Sequence, residues 1–484
     1  MGTPTPDASL GQPLRTTGDG CLFVLGDEGV FFSVPRQELY VLNASATLVW
    51  CCIESGMCAE DILGCYADLL GVGPAEAQTQ VAAILDQWWG AGYIERPGLL
   101  PETPLPFTTV LARLLVNPRL RAEFVRDPDA MARDLRIVSA QREPFLALDP
   151  AQLEVQAKRL RDRHSLRNHP TPRTDILLAT PVDGERTTLD LALDGKLRTI
   201  VAPAVERHYR MLATDFSIRC SSTTQSRRIH AALAHLEVDA PASAPVILDV
   251  VESDAGHVVL DDLVPRGYCR DLESLTPLVK SLVSQAARSR HRYVLEIHAG
   301  VVSNGEACVL LPGAPGSGKS TLTLGLMLAG FEYLSDEVAL LEVGTLDIRP
   351  FPLGLGIKPG AVAVLAPSCP EIATLDVHSR EDGQRVRYLP PPRDRCAPRD
   401  ATRPARWLIF PRYDANVRTE LRPISRPEAL RRLLRECTAM PELLDEARVE
   451  ALVRWMRKLE CFELPMSSLD EAVALIGQVC MPDA

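Results

Sequence analysis

The spacing of apolar residues changes several times along the chain, and each change marks an element. Three short β-prone runs at 21–25, 30–34 and 38–42 are separated by Gly26-Asp27-Glu28-Gly29 and Pro35-Arg36-Gln37. After Asn43, a good N-cap, the period becomes helical as far as about Glu54. Ile62, Leu63, Tyr66, Leu69 and Leu70 fall on one face of a second helix. Val81, Ile84, Leu85 and Trp88 fall on one face of a third, from about Ala75 to Trp89, which Gly90-Ala91-Gly92 ends. Tyr93-Ile94 closes this first segment, residues 18–96.

Pro97, Pro101, Pro104 and Pro106 read as a linker. Behind it, a small all-α module over 97–168 is expected from helical spacing. Its positions are Val110, Leu111, Leu114 and Leu115, then Leu120 and Phe124, Met131 and Leu135, and Leu153, Ala157 and Leu160. Residues 169–290 form a strand-rich lead-in, with strands expected at 176–179, 188–193, 216–219, 246–251 and 257–260. A helix near 275–287 follows, and then a strand at 293–297.

The most informative pattern lies at 307–337. An apolar run, 308–311, reads as a buried strand. Gly313-Ala314-Pro315-Gly316-Ser317-Gly318-Lys319-Ser320-Thr321 then matches the G-x-x-x-x-G-K-[ST] phosphate loop. Leu322, Leu324, Leu326 and Leu328 fill a helix that Gly330 is placed to end. Gly316 and Gly318 let the backbone curl so that its amides point at phosphate oxygens. Lys319 supplies charge for the outer phosphates, and Ser320 supplies a hydroxyl for Mg²⁺. Only six of the chain's 52 basic residues are lysines, so a lysine here carries weight. The next strand brings Asp336 and Glu337. Paired acids beside a γ-phosphate can hold Mg²⁺ and accept a proton from an attacking hydroxyl.

This segment resembles the HPr kinase/phosphorylase family, which also has a histidine about fifteen residues before the first loop glycine. Here that position is His298, which by itself reads first as a buried strand histidine. The resemblance implies Lys319, Asp336 and His298 as catalytic residues, with Asp336 the base. It implies residues 313–321 as the ATP or GTP site, and Ser320, Asp336 and Glu337 as Mg²⁺ contacts. Thr321 stands where the family has Glu, and Glu337 replaces a second Asp. The first departure weakens any claim on HPr itself as substrate.

Residues 18–96 resemble the PqqD family through Leu39-Tyr40-Val41-Leu42-Asn43-Ala44-Ser45-Ala46 and Trp88-Trp89-Gly90-Ala91-Gly92-Tyr93-Ile94. The resemblance implies a winged-helix domain. The leader of a ribosomal precursor peptide would add as a strand along Leu39, Tyr40, Val41 and Leu42, with the third helix walling the groove. A generic packing or dimerisation domain is the alternative.

The expected fold is therefore a multidomain α+β and α/β chain: a PqqD-like domain, a helical module, and an HPr-kinase-like P-loop domain over 169–484 with its nucleotide core at 291–425. Beyond the loop, the kinase resemblance implies that Lys358 in the Gly-rich stretch 351–360 touches the transferring phosphate or the peptide; a surface-loop lysine is the alternative reading. The charged, Pro-rich stretch 378–400 reads as a mobile loop. The strand 406–413 places Arg412 beside the nucleotide. Closing helices are expected at 430–437, 449–459 and 469–479.

Composition narrows the partners. A net charge of −11 argues against nucleic acid. No apolar run approaches membrane-spanning length, and residues 1–20 lack a signal-peptide pattern, which points to the cytoplasm. Thirteen cysteines without a C-x-x-C read as small core residues. The expected activity is phosphorylation of a Ser or Thr hydroxyl on a leader-bound precursor peptide, as in lasso-peptide biosynthesis. A kinase for a small molecule or carrier protein, and a nucleotide-gated peptide chaperone without catalysis, are the rivals. A homo-oligomer is compatible with each.

Overall fold

The computed structural model describes residues 13–95, 118–154, 203–439 and 444–481 with Leu114, leaving out positions 27, 35, 37, 135, 136, 138, 254, 255, 262 and 263. Helices and sheets are mixed, and the chain divides into two compact units. The first gathers the described residues up to 154 with Ser425–Arg431 and the helix Glu446–Lys458. The second takes 203–424, 432–439 and 459–481. The linker prolines, the helical positions Val110, Leu111, Leu115, Leu135, Ala157 and Leu160, and the strands expected at 176–179 and 188–193 lie outside the described residues.

In the first unit, Gly20–Leu25, Glu28–Ser33 and Glu38–Leu42 form an antiparallel meander in that order. Three helices follow, Ala44–Glu54, Ala59–Leu70 and Pro74–Ala91. The Asn43 side chain accepts the Ala46 amide at 2.8 Å, so the first helix starts where its cap residue dictates. Phe31, Trp50, Trp88 and Tyr93 make the core. Trp50 meets Phe31 and Trp88 edge-on, with ring centroids 4.7 and 5.1 Å apart. The second helix buries a narrower stripe than expected, Ala59, Ile62 and Tyr66, while Leu69 is 66% exposed in the last turn before Gly71.

Among the described residues Glu38–Leu42 pairs with a strand on one side only, and Leu39, Tyr40, Val41 and Leu42 are half-buried. On the far side of the sheet, Arg457 of the helix Glu446–Lys458 donates to the Val24 carbonyl at 2.5 Å, and Arg431 pairs with Glu28 at 3.3 Å. The helix expected to close the C-terminal domain is thus gathered with the first unit. A separate helical cluster, Pro118–Arg126, Pro128–Asp134 and Ser139–Leu146, packs around Phe124 and Phe145.

The second unit begins with a six-stranded sheet in the order Val264–Cys269, Gly256–Asp261, Val246–Ser253, Thr214–Cys220, Val205–Met211, Glu237–Val238. Thr214–Cys220 and Val246–Ser253 run parallel, joined across the helix Thr223–Leu233, which a Ser222–Gln225 capping box starts. The long helix Leu272–Ser289 packs on this sheet, capped by Asp271. Its internal Pro277 lacks the amide that would bond the Glu273 carbonyl. Phe216, Leu248 and Val279 share one core with Leu340, Phe351 and Leu353, so the lead-in and the segment after the carboxylates fold as one body.

A second six-stranded sheet carries the site. Its order is Glu332–Ser335, Ala299–Ser303, Cys308–Pro312, Ala405–Tyr413, Glu460–Met466, Arg422–Pro423. Cys308–Pro312, Ala405–Tyr413 and Glu460–Met466 are parallel, and Ala299–Ser303 runs against both its neighbours. The stretch expected to be a mobile loop is instead built into a three-stranded sheet of Leu355–Ile357, Arg385–Leu389 and Val377–Ser379. Val386 and Tyr388 are buried between the more exposed Arg385 and Arg387, a period of two that the surrounding charges and prolines mask in the sequence.

Trp50→Ala removes the largest fully buried side chain among the described residues of the first unit. We expect it to lower that unit's unfolding free energy by about 3–5 kcal/mol, read as an earlier urea transition by circular dichroism. An unshifted transition would contradict the packing described.

Candidate active site

The topology of the second sheet gathers distant residues at one edge. Cys308–Pro312, Glu332–Ser335 and Ala405–Tyr413 all end there, and the antiparallel Ala299–Ser303 begins there, with Ala299 opposite Pro312 and Val301 opposite Ser335. The glycine loop, Asp336, Tyr413 and His298 follow or precede those ends. Carboxyl ends of parallel strands are where such sheets bind ligands.

The loop has the conformation its glycines permit. Gly316 and Gly318 have φ of 91° and 93°, and the helix Lys319–Leu328 starts directly after. A Cβ at 318 would strike the Met466 methyl. The Tyr413 amide donates to the Ser317 carbonyl at 3.1 Å, which ties the loop to the neighbouring strand. Ala314, Pro315 and Gly316 are exposed, and Gly313, Ser317, Gly318, Ser320 and Thr321 are partly so. The Lys319 ammonium is buried and bonds the Gly313 carbonyl and, at 3.0 Å, the Ala314 carbonyl. Burial lowers its pKa, the nearby charges of Glu436 and Asp336 oppose that, and Lys358 adds to it. Lys358, N-cap of the helix Pro359–Leu365, is therefore electrostatically coupled to the loop although exposed itself. Arg412 is exposed near the end of its strand.

Asp336 is 1% exposed. Its Oδ2 accepts the Gly356 amide at 3.1 Å, whereas its Oδ1 is buried without a hydrogen-bond partner. Burial pushes this carboxyl up to about 6 and the charge of Glu337 adds to the rise. The Gly356 amide, Lys280 and the approach of the Ser320 hydroxyl pull it back. An orphaned carboxylate oxygen with a serine hydroxyl beside it is a hard-oxygen pair of the kind Mg²⁺ takes, with water and phosphate completing the shell. Among the described residues no three His, Cys, Asp or Glu side chains converge on a metal position, so a cation here would rest on few protein ligands.

Glu337 has a different partner. Its Oε1 lies 3.1 Å from the Lys280 ammonium, in a pair whose side chains are 32% and 5% exposed. Burial opposes the charge on each. The pairing prevails, so Lys280 is raised and Glu337 is lowered from their ordinary values. Lys280 also sits 4.6 Å from the centre of the Tyr388 ring. A carboxylate already neutralised in this way is a weaker metal ligand than Asp336. The His298 amide donates to the Glu436 carbonyl at 2.8 Å, and its Nδ1 lies 3.0 Å from the Glu337 carbonyl. A carbonyl can only accept, so Nδ1 carries the proton. Burial first, then the charge of Lys319, lowers the His298 pKa and favours the neutral ring.

The structure thus brings Lys319, Asp336, Glu337 and His298 together with the loop. It adds Lys280, Glu436 and the Gly356 amide, which motif reading missed. Lys280 is the one charged residue among the buried positions of its helix, which also hold Thr276 and Ser284. Leu39, Tyr40, Val41 and Leu42 belong to the first unit and stand apart as a strand edge. No helix among the described residues is long and apolar enough to cross a membrane. No family model matches the chain, and no curated protein matches it in sequence.

Removing the Lys280 ammonium leaves Glu337 charged without its partner. Lys280→Met is expected to destabilise the second unit by less than the about 3–5 kcal/mol typical of a fully buried pair, because Glu337 keeps partial exposure. The deficit shrinks as the pH falls and Glu337 takes up a proton. Urea unfolding of Lys280→Met/Glu337→Gln should recover most of the loss. A double variant no more stable than the single one would contradict the pairing.

Proposed function

We propose that the second unit is a kinase, related to the HPr kinase/phosphorylase family, that moves the γ-phosphoryl group of ATP or GTP to an alcohol. The Asp336 carboxyl is the observation that carries this reading. It is buried beside a glycine loop, has one oxygen without a partner, and has its pKa raised to about 6. A proton acceptor is most effective when its pKa lies near the working pH, and a residue that merely structured the loop would gain nothing from this arrangement.

In this reading the loop amides and the start of the helix Lys319–Leu328 hold the phosphates. Lys319 exchanges its bonds to the Gly313 and Ala314 carbonyls for phosphate oxygens. Ser320 and Asp336 would hold Mg²⁺, which supplies charge neutralisation for the phosphoryl oxygens. Asp336 takes the proton of the acceptor hydroxyl as that oxygen bonds to the γ-phosphorus. The bond from phosphorus to the bridging oxygen breaks, and the nucleoside diphosphate leaves with those electrons. Lys280 keeps Glu337 ionised, and His298 stays neutral with Nδ1 fixed on the Glu337 carbonyl.

The first unit, in the same proposal, is a PqqD-like domain that takes the leader of a ribosomal precursor peptide onto Glu38–Leu42. Among the described residues that strand has a neighbour on one side only, which supports backbone pairing by an added strand. A tethered leader raises the local concentration of its own core peptide to about the millimolar range, so the acceptor site need bind only weakly.

With Mg²⁺, ATP and a hydroxyl acceptor, Lys319→Ala is expected to weaken nucleotide binding. Asp336→Asn should still bind nucleotide but lose transfer by about 10²–10⁴-fold. Because the ionised carboxylate is the active form, kcat/KM should rise with pH through an acid limb at or below about 6, and the Asp336→Asn variant should lack that limb. Undiminished transfer by Asp336→Asn would contradict the assignment.

A further inference from the structure

We propose that the acceptor lies in a groove along the helix Leu272–Ser289, and that it is an extended peptide segment without strong net charge. The inference rests on the kinase reading above. A cavity of about 700 Å³ is lined on one side by the Ser274, Pro277, Ser281, Ser284 and Arg288 face of this helix. The opposite wall comes from Ser379, Arg380, Glu381 and Tyr388. One end reaches His298 and Glu337, the residues beside the proposed base. Asp336 and residues 313–321 do not line the cavity, so it adjoins the proposed base through Glu337 and His298.

The lining describes the ligand. Four basic and four acidic side chains face the cavity, and Lys280 is paired with Glu337 while Arg288 is paired with Glu296. A phosphorylated sugar, a nucleotide or another polyanion needs a surplus of cations, and the charges here balance. Serine hydroxyls along the helix both donate and accept hydrogen bonds, as a peptide backbone requires. Val338 and Leu353 give a short apolar floor. Arg270, Asp271, Ser281 and Arg380 are exposed, so the groove is open along its rim and a segment of a longer chain can lie in it. A free metabolite is better served by a closed pocket that surrounds most of its surface. The volume falls within the range that holds a drug-sized ligand, equivalent to a few residues of extended chain.

The test uses the whole protein, Mg²⁺, γ-labelled ATP and a degenerate library of short peptides with one central serine, supplied at the about millimolar concentration that tethering would give. Ser281→Trp fills the groove from an exposed position, and Ser289→Trp places the same bulk on the same helix outside the cavity. Binding of a fluorescent ATP analogue is measured in parallel. We expect Ser281→Trp to cut peptide labelling by about tenfold or more with unchanged analogue affinity, while Ser289→Trp labels like the wild type. Equal labelling by Ser281→Trp overturns the groove and leaves the kinase reading standing. A wild type that labels small polyols but no peptide overturns the peptide class. A wild type that binds the analogue and labels nothing removes the kinase reading, and the acceptor groove with it.

Discussion

The site exists because one strand runs against its neighbours. Ala299–Ser303 lies between Cys308–Pro312 and Glu332–Ser335 and is antiparallel to both. Its first residue therefore stands at the edge where the other two end. Without that reversal His298 would lie at the far side of the sheet from the glycine loop, and Asp336 would face a different strand end. Gly300 reflects the closeness this requires, since a Cβ there would strike the Thr323 hydroxyl of the loop helix. Backbone pairing, rather than any one side chain, sets the distances on which the chemistry depends.

Burial then divides two adjacent carboxyls into different roles. Both Asp336 and Glu337 would be raised by desolvation alone. Lys280 reaches Glu337 directly and acts on Asp336 only through space, so Glu337 stays ionised and Asp336 moves toward neutral pH. Neighbouring acids whose surroundings push their pKa values apart are the usual sign of acid–base assignment. The arrangement depends on a lysine held against Tyr388 on a helix whose other buried positions carry no charge.

The local parts of this account were legible in the sequence. The glycine loop, the strand before it, the helix after it and the Asn43 cap depend on residues close in the chain, and their boundaries fell close to where spacing put them. Lys280, Glu436 and Gly356 were not legible as site residues, because each is brought in by sheet order and not by spacing. Arg385–Leu389 was missed because a two-residue period with arginines on one face looks like a charged loop. Glu460–Met466 was missed because it follows a helix and mixes acidic with apolar residues. The helix Glu446–Lys458 shows the same limit differently: its amphipathic pattern was plain, but nothing in it says that it gathers with the first unit.

The central claim is that Lys319 and Asp336 act on one phosphoryl group. A crystal structure with Mg²⁺ and a non-hydrolysable ATP analogue tests it most directly. The account predicts a triphosphate cradled by residues 313–321, with Lys319 released from the Gly313 and Ala314 carbonyls onto an outer phosphate. The Asp336 carboxylate should then stand within hydrogen-bonding reach of the space in line with the γ-phosphorus. An analogue bound elsewhere, or a γ-phosphate facing away from Asp336, would contradict it.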